Sequence, residues 1–476
     1  MQTTGNQQRS SLIKTVTIHF VLGCVALGTV FDVSPIVAAQ TRILRVVTYN
    51  IEADTGGYTN ARPGLIAPPS NTANVQAGGV LEGIGEEILG SDPAQPLDVL
   101  ALQETTSNPI TVTPIVNGLN TFYNAPGMYA MSSHQATEEG GDVTDGNGPN
   151  ALVYNTKTLQ LLASVPVDPP GGTSKLGSSS GEYREVMRYE LAPAGMTPTA
   201  TNEFYVYVSH YKSSSSGVEA TNEFHRQEEA TIIRNDEATN LPANARVLYV
   251  GDYNITTSSE ASYQTILSNT APNGIHQGQG IDPLNVTDAL NIDWGNSTTD
   301  TNLLAMKTDS AMDLRYRDDL QVMTTNVYFG VAGGLVLVPG TYHVFGNNGT
   351  TPYKGSVNSG SNTALNSDLA SGAPFSASQL YLDLTNASDH LPVVADYTIP
   401  ITVPAPVLQS ATGTGGTVTF VWSAVVSAVY QLQYRTNLAQ GDWSNLGSAI
   451  TATNAVMSAS DSIGPDPQRF YRLLVP

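Results

Sequence analysis

Five apolar segments of this chain each stop at a polar or ionisable residue, and no other feature constrains its fold as tightly. The segment 43–51 (ILRVVTYNI) carries Asn50 at its end, and 98–103 (DVLALQ) runs into Glu104. The segment 204–209 is followed by His210-Tyr211-Lys212, and 246–250 by Gly251-Asp252-Tyr253-Asn254. Ser388-Asp389-His390 precedes the last of them, 391–397. β-Branched and aromatic residues fill these segments, and turn-forming residues bound them, which predicts buried strands. Further strands are expected at 151–154 and 186–191, and helices at 75–89 and 219–238, where apolar or Glu-rich patterning has helical character. Strands that alternate with helices, together with strands that follow one another directly, predict an α/β chain with two packed sheets flanked by helices. Strand ends of packed sheets can meet at one rim, so residues far apart in sequence can share a site.

Each short segment taken alone has an ordinary reading as a turn, a cap or a solvated strand end. The order of all five is what points to chemistry. Of the six histidines beyond residue 39, His210 and His390 lie in these segments, while His134, His225, His276 and His343 lie in polar stretches expected at the surface or in inserts. Long Gly/Ser/Thr/Asn-rich stretches at 55–72, 132–149, 168–182 and 345–377 interrupt the framework; loops of this length commonly carry function.

The two ends differ from the middle. Arg9 and Lys14 precede a mostly apolar run, 15–30, and Val37-Ala38-Ala39 offers small residues before Gln40, the pattern of a cleaved export signal over 1–39. No other long apolar run exists, so the mature chain is expected to have no transmembrane segment. The single cysteine, Cys24, falls inside this leader, in a Val-Leu-Gly-Cys run that faintly resembles a lipoprotein box; the mature chain then has no disulfide. Charged residues are only 13% of the chain, against roughly 25% in a typical soluble domain, which suits a secreted protein (extracellular or periplasmic). The net charge of −21 argues against a non-specific nucleic-acid coat but not against an enzyme whose local site is positive or holds metal ions. Past Val403-Pro404-Ala405-Pro406 the pattern changes. Val418, Phe420 and Trp422, then Tyr430, Leu432 and Tyr434, alternate with their neighbours at the period of half-buried strands. This predicts a small all-β sandwich over 403–476, similar to fibronectin-type-III-like modules, available to bind a cell surface or another protein.

The ordered set of segments resembles the endonuclease/exonuclease/phosphatase superfamily, which includes pancreatic-type deoxyribonucleases. The likeness runs over about 41–400. Asn150 opens a strand-like run through Asn155, Arg184 precedes another, and Arg317-Asp318-Asp319-Leu320 is similar to the Arg-x-Asp element of that family. The resemblance implies a four-layer α/β sandwich over 40–402 and a metal-dependent phosphodiesterase, most simply a nuclease. It implies Glu104, Asn50 and Asp389 as ligands of Mg²⁺ or Mn²⁺, which favour hard oxygen donors. It implies Asp252 orienting the attacking water, Asn254 donating to a phosphate oxygen, His210 and His390 polarising the phosphate, and Asp319 holding the His390 tautomer. Asn150, Arg184 and Lys212 would contact phosphate. Asp318 remains an alternative to Asp319. Other readings are a phosphatase or sphingomyelinase-like phospholipase, and a non-catalytic surface-binding protein on a dead scaffold; an exposed apolar hairpin would favour the lipid reading, but the apolar segment 327–338 (VYFGVAGGLVLV) is read first as core.

Overall fold

A computed structural model describes residues 16–18, 38–53, 64–66, 79–90, 92–137, 148–167, 184–214, 218–255, 257–285, 299–331, 333–437, 442–464, 466 and 468–476. Most of the expected leader, with Cys24, lies outside the described residues, as do most of 55–72, 138–147 and 168–182. Two units emerge: 43–399, and 400–476 together with 1–42.

The larger unit contains two sheets. In the seven-stranded sheet the order is Val336–Leu337, Val393–Val403, Ala38–Asn50, Val99–Gln103, Ala151–Asn155, Tyr129–Met131, with His343–Val344 also on Val393–Val403. In the six-stranded sheet the order is Gly280–Ile281, Asp319–Thr324, Val247–Asp252, Phe204–His210, Met187–Pro193, Leu159–Pro166. Val99–Gln103, Phe204–His210 and Val247–Asp252 are buried at every position. Both faces of these strands are covered, which is why they read as continuous apolar runs and not as alternation.

The sheets meet through Gln321, whose Nε2 donates to the carbonyls of Val46 (3.0 Å) and Val393 (2.7 Å) and whose Oε1 accepts from the Tyr397 hydroxyl (3.0 Å). On the outer face of the six-stranded sheet, Ala230 and Ile233 of helix Glu219–Asn240 and Tyr263 and Ile266 of helix Ala261–Leu267 join Tyr207, Tyr249 and Val322 in one core. On the other side, Arg45 reaches from its strand to the carbonyls of Ile84 (2.7 Å), in helix Val80–Gly85, and Glu87 (2.9 Å), and pairs with Asp396. Helices, sheet, sheet, helices: the arrangement is the expected four-layer α/β sandwich. Of the helix expected at 75–89, residues 75–78 lie outside the described residues and Val80–Gly85 is helical, while 345–377 is a run of packed turns with Phe345, Val357 and Leu365 buried.

The smaller unit is all-β. One sheet comprises Leu408–Thr414, Thr417–Ser423 and Val456–Ser462; the other comprises Val16–Ile18, Phe470–Leu474, Val429–Arg435 and Ser444–Asn445, with Ile450–Thr451 on Val429–Arg435. Phe420 meets Tyr471 (centroids 4.6 Å apart) and Trp422 meets Tyr430 (6.2 Å), so the alternating residues face inward between the sheets. Gln40 exchanges two hydrogen bonds with the Val429 backbone (3.1 and 2.8 Å), which ties the residues before 43 into this unit. Among the described residues no helix is long and apolar enough to cross a membrane.

Candidate active site

His210, Asp252 and Asp319 occupy one transverse row of the six-stranded sheet, because His210 pairs with Asp252 and Asp252 with Asp319. Gly251 makes the row possible. It sits at φ 142°, and a Cβ there would lie 1.9 Å from the Ser209 carbonyl oxygen. From the facing sheet come Asn50, at the end of its strand, and Glu104, one residue past Gln103, which Asn50 opposes. Glu104 holds a left-handed backbone (φ 55°), unusual away from glycine and often seen at functional sites.

The side chains converge. Asn50 Nδ2 donates to Glu104 Oε1 (2.9 Å) and to Asp252 Oδ2 (3.0 Å). His210 Nε2 lies 3.3 Å from Asp252 Oδ2 and 3.6 Å from Glu104 Oε1. The Asn254 backbone N–H donates to Asp252 Oδ1 (3.0 Å). Ser388 ties the approach to Val393–Val403 to the neighbouring strand of the same sheet: its hydroxyl donates to the Asn50 carbonyl (2.7 Å) and accepts from the His390 N–H (3.0 Å). His390 Nδ1 donates to Asp319 Oδ2 (2.7 Å), while its Nε2 faces Asp252 and Asp389, each at 3.8 Å. Asp319 is therefore the partner carboxylate. Its neighbour Asp318 uses its carbonyl for Tyr253, and Arg317 turns away to grip Asp282 with two bonds (2.7 and 2.9 Å).

The two histidines titrate in opposite directions. Burial, reinforced by Arg184, pushes His210 down to about 4, so its imidazole is neutral. Since Asp252 can only accept, His210 Nε2 carries the proton. Burial would also lower His390, but the carboxylates of Asp319, Asp389 and Asp252 outweigh it and hold the group well above its usual value, as an imidazolium. Burial raises Asp252, yet His390 and His210 overcome that and keep it ionised. Asp319 is pushed up to about 6 by burial against the pull of His390, so that pair is ionised at neutral pH.

The expected phosphate contacts need correction. Asn150 is buried, and its Nδ2 donates to the carbonyls of Glu185 (2.9 Å) and Val208 (3.4 Å). A phosphate needs donors, and those of Asn150 are committed to main chain, so it positions the His210 strand. Arg184 Nη1 (2.9 Å) and Asn254 Nδ2 (3.1 Å) both donate to the Tyr211 carbonyl and brace the same segment from behind. Lys212 is buried beside them. Of the four histidines expected at the surface or in inserts, His225 is buried, and His343, 27% exposed, pairs with the buried Glu87 (2.9 Å).

Three participants were not anticipated. Glu52 accepts from the Asp389 N–H (3.0 Å), and its spacing of two from Asn50 was a usable signal. Thr308 Oγ1 accepts from the backbone N–H groups of Asp318 and Asp319 (3.0 Å each), and Asp309 bridges to His390. Their segment has no strand-end pattern, so nothing local marks them.

A hard divalent cation fits this donor set. Ligand atoms of Glu104, His210 and Asp252 lie within 4.8 Å of one another, as do those of Asp309, Asp389 and His390. Carboxylates dominate both groups, and the buried Asp389 Oδ1 accepts no hydrogen bond. As placed, Asn50 turns its nitrogen toward Glu104 and its Oδ1 toward the Glu52 N–H (3.1 Å), so ligation through its oxygen requires the amide to turn over.

No family model and no curated protein matches the sequence. Solved structures similar to it include the human Nocturnin catalytic domain with bound sulfate anion, at 14% identity over 76% of this chain and 97% of that one, TM-score 0.37. A D. rerio TDP2 humanized by 14 mutations is 13% identical over 75% of this chain and 98% of that one, TM-score 0.37. An endonuclease/exonuclease/phosphatase family protein from Bacteroides thetaiotaomicron is 12% identical over 76% of this chain and 97% of that one, TM-score 0.36.

Proposed function

We propose that the chain is a secreted, divalent-metal-dependent phosphoric ester hydrolase of the endonuclease/exonuclease/phosphatase superfamily, acting as a nuclease on phosphodiester bonds. One observation carries this reading: His210 and His390 flank Asp252 beside Glu104 and Asn50, with Asp319 holding the far ring nitrogen of His390.

Phosphodiester hydrolysis needs a positioned water, neutralised phosphoryl oxygens and a stabilised leaving oxygen. Asp252 accepts from Asn50, His210 and the Asn254 backbone, which fixes its plane and keeps it a weak base. Its role is to orient water more than to deprotonate it fully. His390, protonated at both ring nitrogens, presents Nε2–H to a phosphate oxygen, and Asp319 orients the ring and stabilises its charge by accepting from Nδ1–H. Asn254 keeps one amide N–H beyond its bond to Tyr211 for a second phosphate oxygen. Glu104 with a turned Asn50, and Asp389 in the neighbouring group, would hold divalent metal, which would supply positive charge and acidify a bound water.

The position of the 327–338 segment favours the nuclease reading over the lipid one. Phe329 (60% exposed) and Val331 (52%) do project from the 327–338 segment. That segment follows Thr324, however, whereas the site lies at Asp319, the other end of the same strand. At roughly 3.3 Å per residue the two are about 16 Å apart, on opposite rims.

The leader's composition supports export, and the all-β module supports attachment to a cell surface or another protein. The test compares hydrolysis of DNA, RNA, sphingomyelin, inositol phosphates and bis(p-nitrophenyl) phosphate by culture medium and by cell pellets. Activity is expected in the medium, on nucleic acid and the small diester, abolished by EDTA and restored by Mg²⁺ or Mn²⁺. Full activity in metal-stripped protein would remove the metal from the mechanism.

A further inference from the structure

A hairpin from one polar insert lies directly on the catalytic residues and is braced by a second insert. In the first, Thr308 and Tyr316 and then Asp309 and Tyr316 are joined by main-chain bonds (Thr308 N to Tyr316 O, 2.8 Å; Tyr316 N to Asp309 O, 2.8 Å). The Ala311 N–H donates to the Asp389 carbonyl (2.5 Å), and Asp309 bridges to His390. In the second, Lys354 N donates to the Leu314 carbonyl (2.9 Å), Leu314 N to Gly355 (3.1 Å), and Val357 N to Ala311 (2.9 Å). The hairpin's position thus follows that of Asp389 and His390.

Its outer surface combines rings and cations on a chain that is otherwise acidic. Tyr316 is 40% exposed and Met312 64%. Two of the six lysines in the chain attend one ring: Lys307 Nζ is 5.4 Å and Lys354 Nζ 5.6 Å from the centre of Tyr353. Lys307 is buried and also donates to the Arg315 carbonyl, so it anchors the inserts together. Lys354 is exposed and holds a left-handed backbone (φ 62°), where glycine or asparagine would be relaxed. Arg315 pairs with Asp313 at the surface, a contact weak enough to yield to a phosphate.

We infer that this hairpin is a subsite for the unpaired nucleotide flanking the scissile phosphate on the His390 side, with the base stacked on Tyr316 against Met312 and the next phosphate held by Lys354 and Arg315. The inference rests on the hydrolase reading above and narrows its substrate to single-stranded polynucleotide. Stacking on an exposed ring is sequence-tolerant because every base has a π-face, and the Lys354 and Arg315 charges offset the repulsion a polyanion meets elsewhere on the chain.

The test uses the full chain, fluorescein-labelled dT20 and an abasic strand of equal length. Anisotropy in EDTA is expected to show dT20 bound about tenfold more tightly than the abasic strand, the scale of one lost stack. Tyr316→Ala should raise KM for dT20 about tenfold and erase the preference over the abasic strand, while Tyr316→Phe keeps both. Lys354→Gln should flatten the log–log salt dependence of binding by about 0.7. Equal affinity of wild type for the two strands, or an unchanged KM in Tyr316→Ala, overturns the subsite. If wild type cleaves neither dT20 nor bis(p-nitrophenyl) phosphate, the hydrolase reading fails, and the anisotropy comparison still decides the stacking claim on its own.

Discussion

The two units bury different things. The 43–399 unit encloses ion pairs: Arg45 with Asp396, Arg226 with Glu260 and Arg317 with Asp282 are all essentially shielded from water. The all-β unit encloses Val418, Phe420, Trp422, Tyr430 and Leu432, and leaves its charged cluster, Arg469 with Asp461 and Asp466, partly open at an edge. Buried ion pairs stabilise little relative to apolar residues of the same volume, but removing one partner is costly. The larger unit therefore adds buried charge, used for placement, to its apolar core, and the smaller relies on apolar area for cohesion.

The comparison is broken most directly at the histidines. His210→Ala and His390→Ala should each lower turnover by about 10²-fold or more, the scale of a lost acid–base group, with circular dichroism unchanged. His134→Ala and His276→Ala should stay near wild type. His343→Ala should lose stability before rate, because it strands Glu87 in the interior. Near-normal rates in both His210→Ala and His390→Ala would end the distinction between the two classes.

Trp422→Ala should act on cohesion alone. It removes a fully buried indole, at a cost of about 3–5 kcal/mol. Calorimetry should show an early transition for the all-β unit, with turnover intact below it. A loss of turnover in step with that transition would show that the proposed activity depends on the folded module.

Glu229 sharpens the comparison at the smallest scale. Burial pushes it up to about 8 from 4.5, against the pull of Arg184. The folded chain then binds this proton more tightly than the unfolded one. Stability is full below about 4.5 and declines as pH rises toward 8. Glu229→Gln should leave stability at pH 5 unchanged and raise it at pH 8 by about 1–3 kcal/mol, the scale of an unsatisfied buried group. An equal shift at both pH values, measured by denaturant unfolding, would show that Glu229 stays ionised.

Much of this was legible because the relevant patterns are local. Asn50, Glu104, His210, Asp252 and His390 each sit where an apolar run ends, and the structure brings all five to one rim. The alternation through Val418, Phe420 and Trp422 marked an inward face that the structure also has. What escaped depended on distant partners. Asn150 looks like a phosphate donor until Glu185 and Val208 take its hydrogens, and Asp309 acquires meaning only through a bridge to His390, 81 positions along a numbering that runs through two inserts. The helix expected to run to 89 stops at Gly85 because apolar spacing alone does not fix where a helix ends.

Because His210, Asp252 and Asp319 stand abreast on three hydrogen-bonded strands, the distances among them are set by the spacing of a sheet, about 4.8 Å per strand, and not by any loop. Chain length can therefore change freely after Asn254 or after Leu365 without disturbing the row. Within Val247–Asp252 a single inserted residue would turn Asp252 to the opposite face. The lineage of such a protein should show its lengthenings and deletions only between strands, with the reacting groups carried along unchanged like rungs whose rails alone are extended.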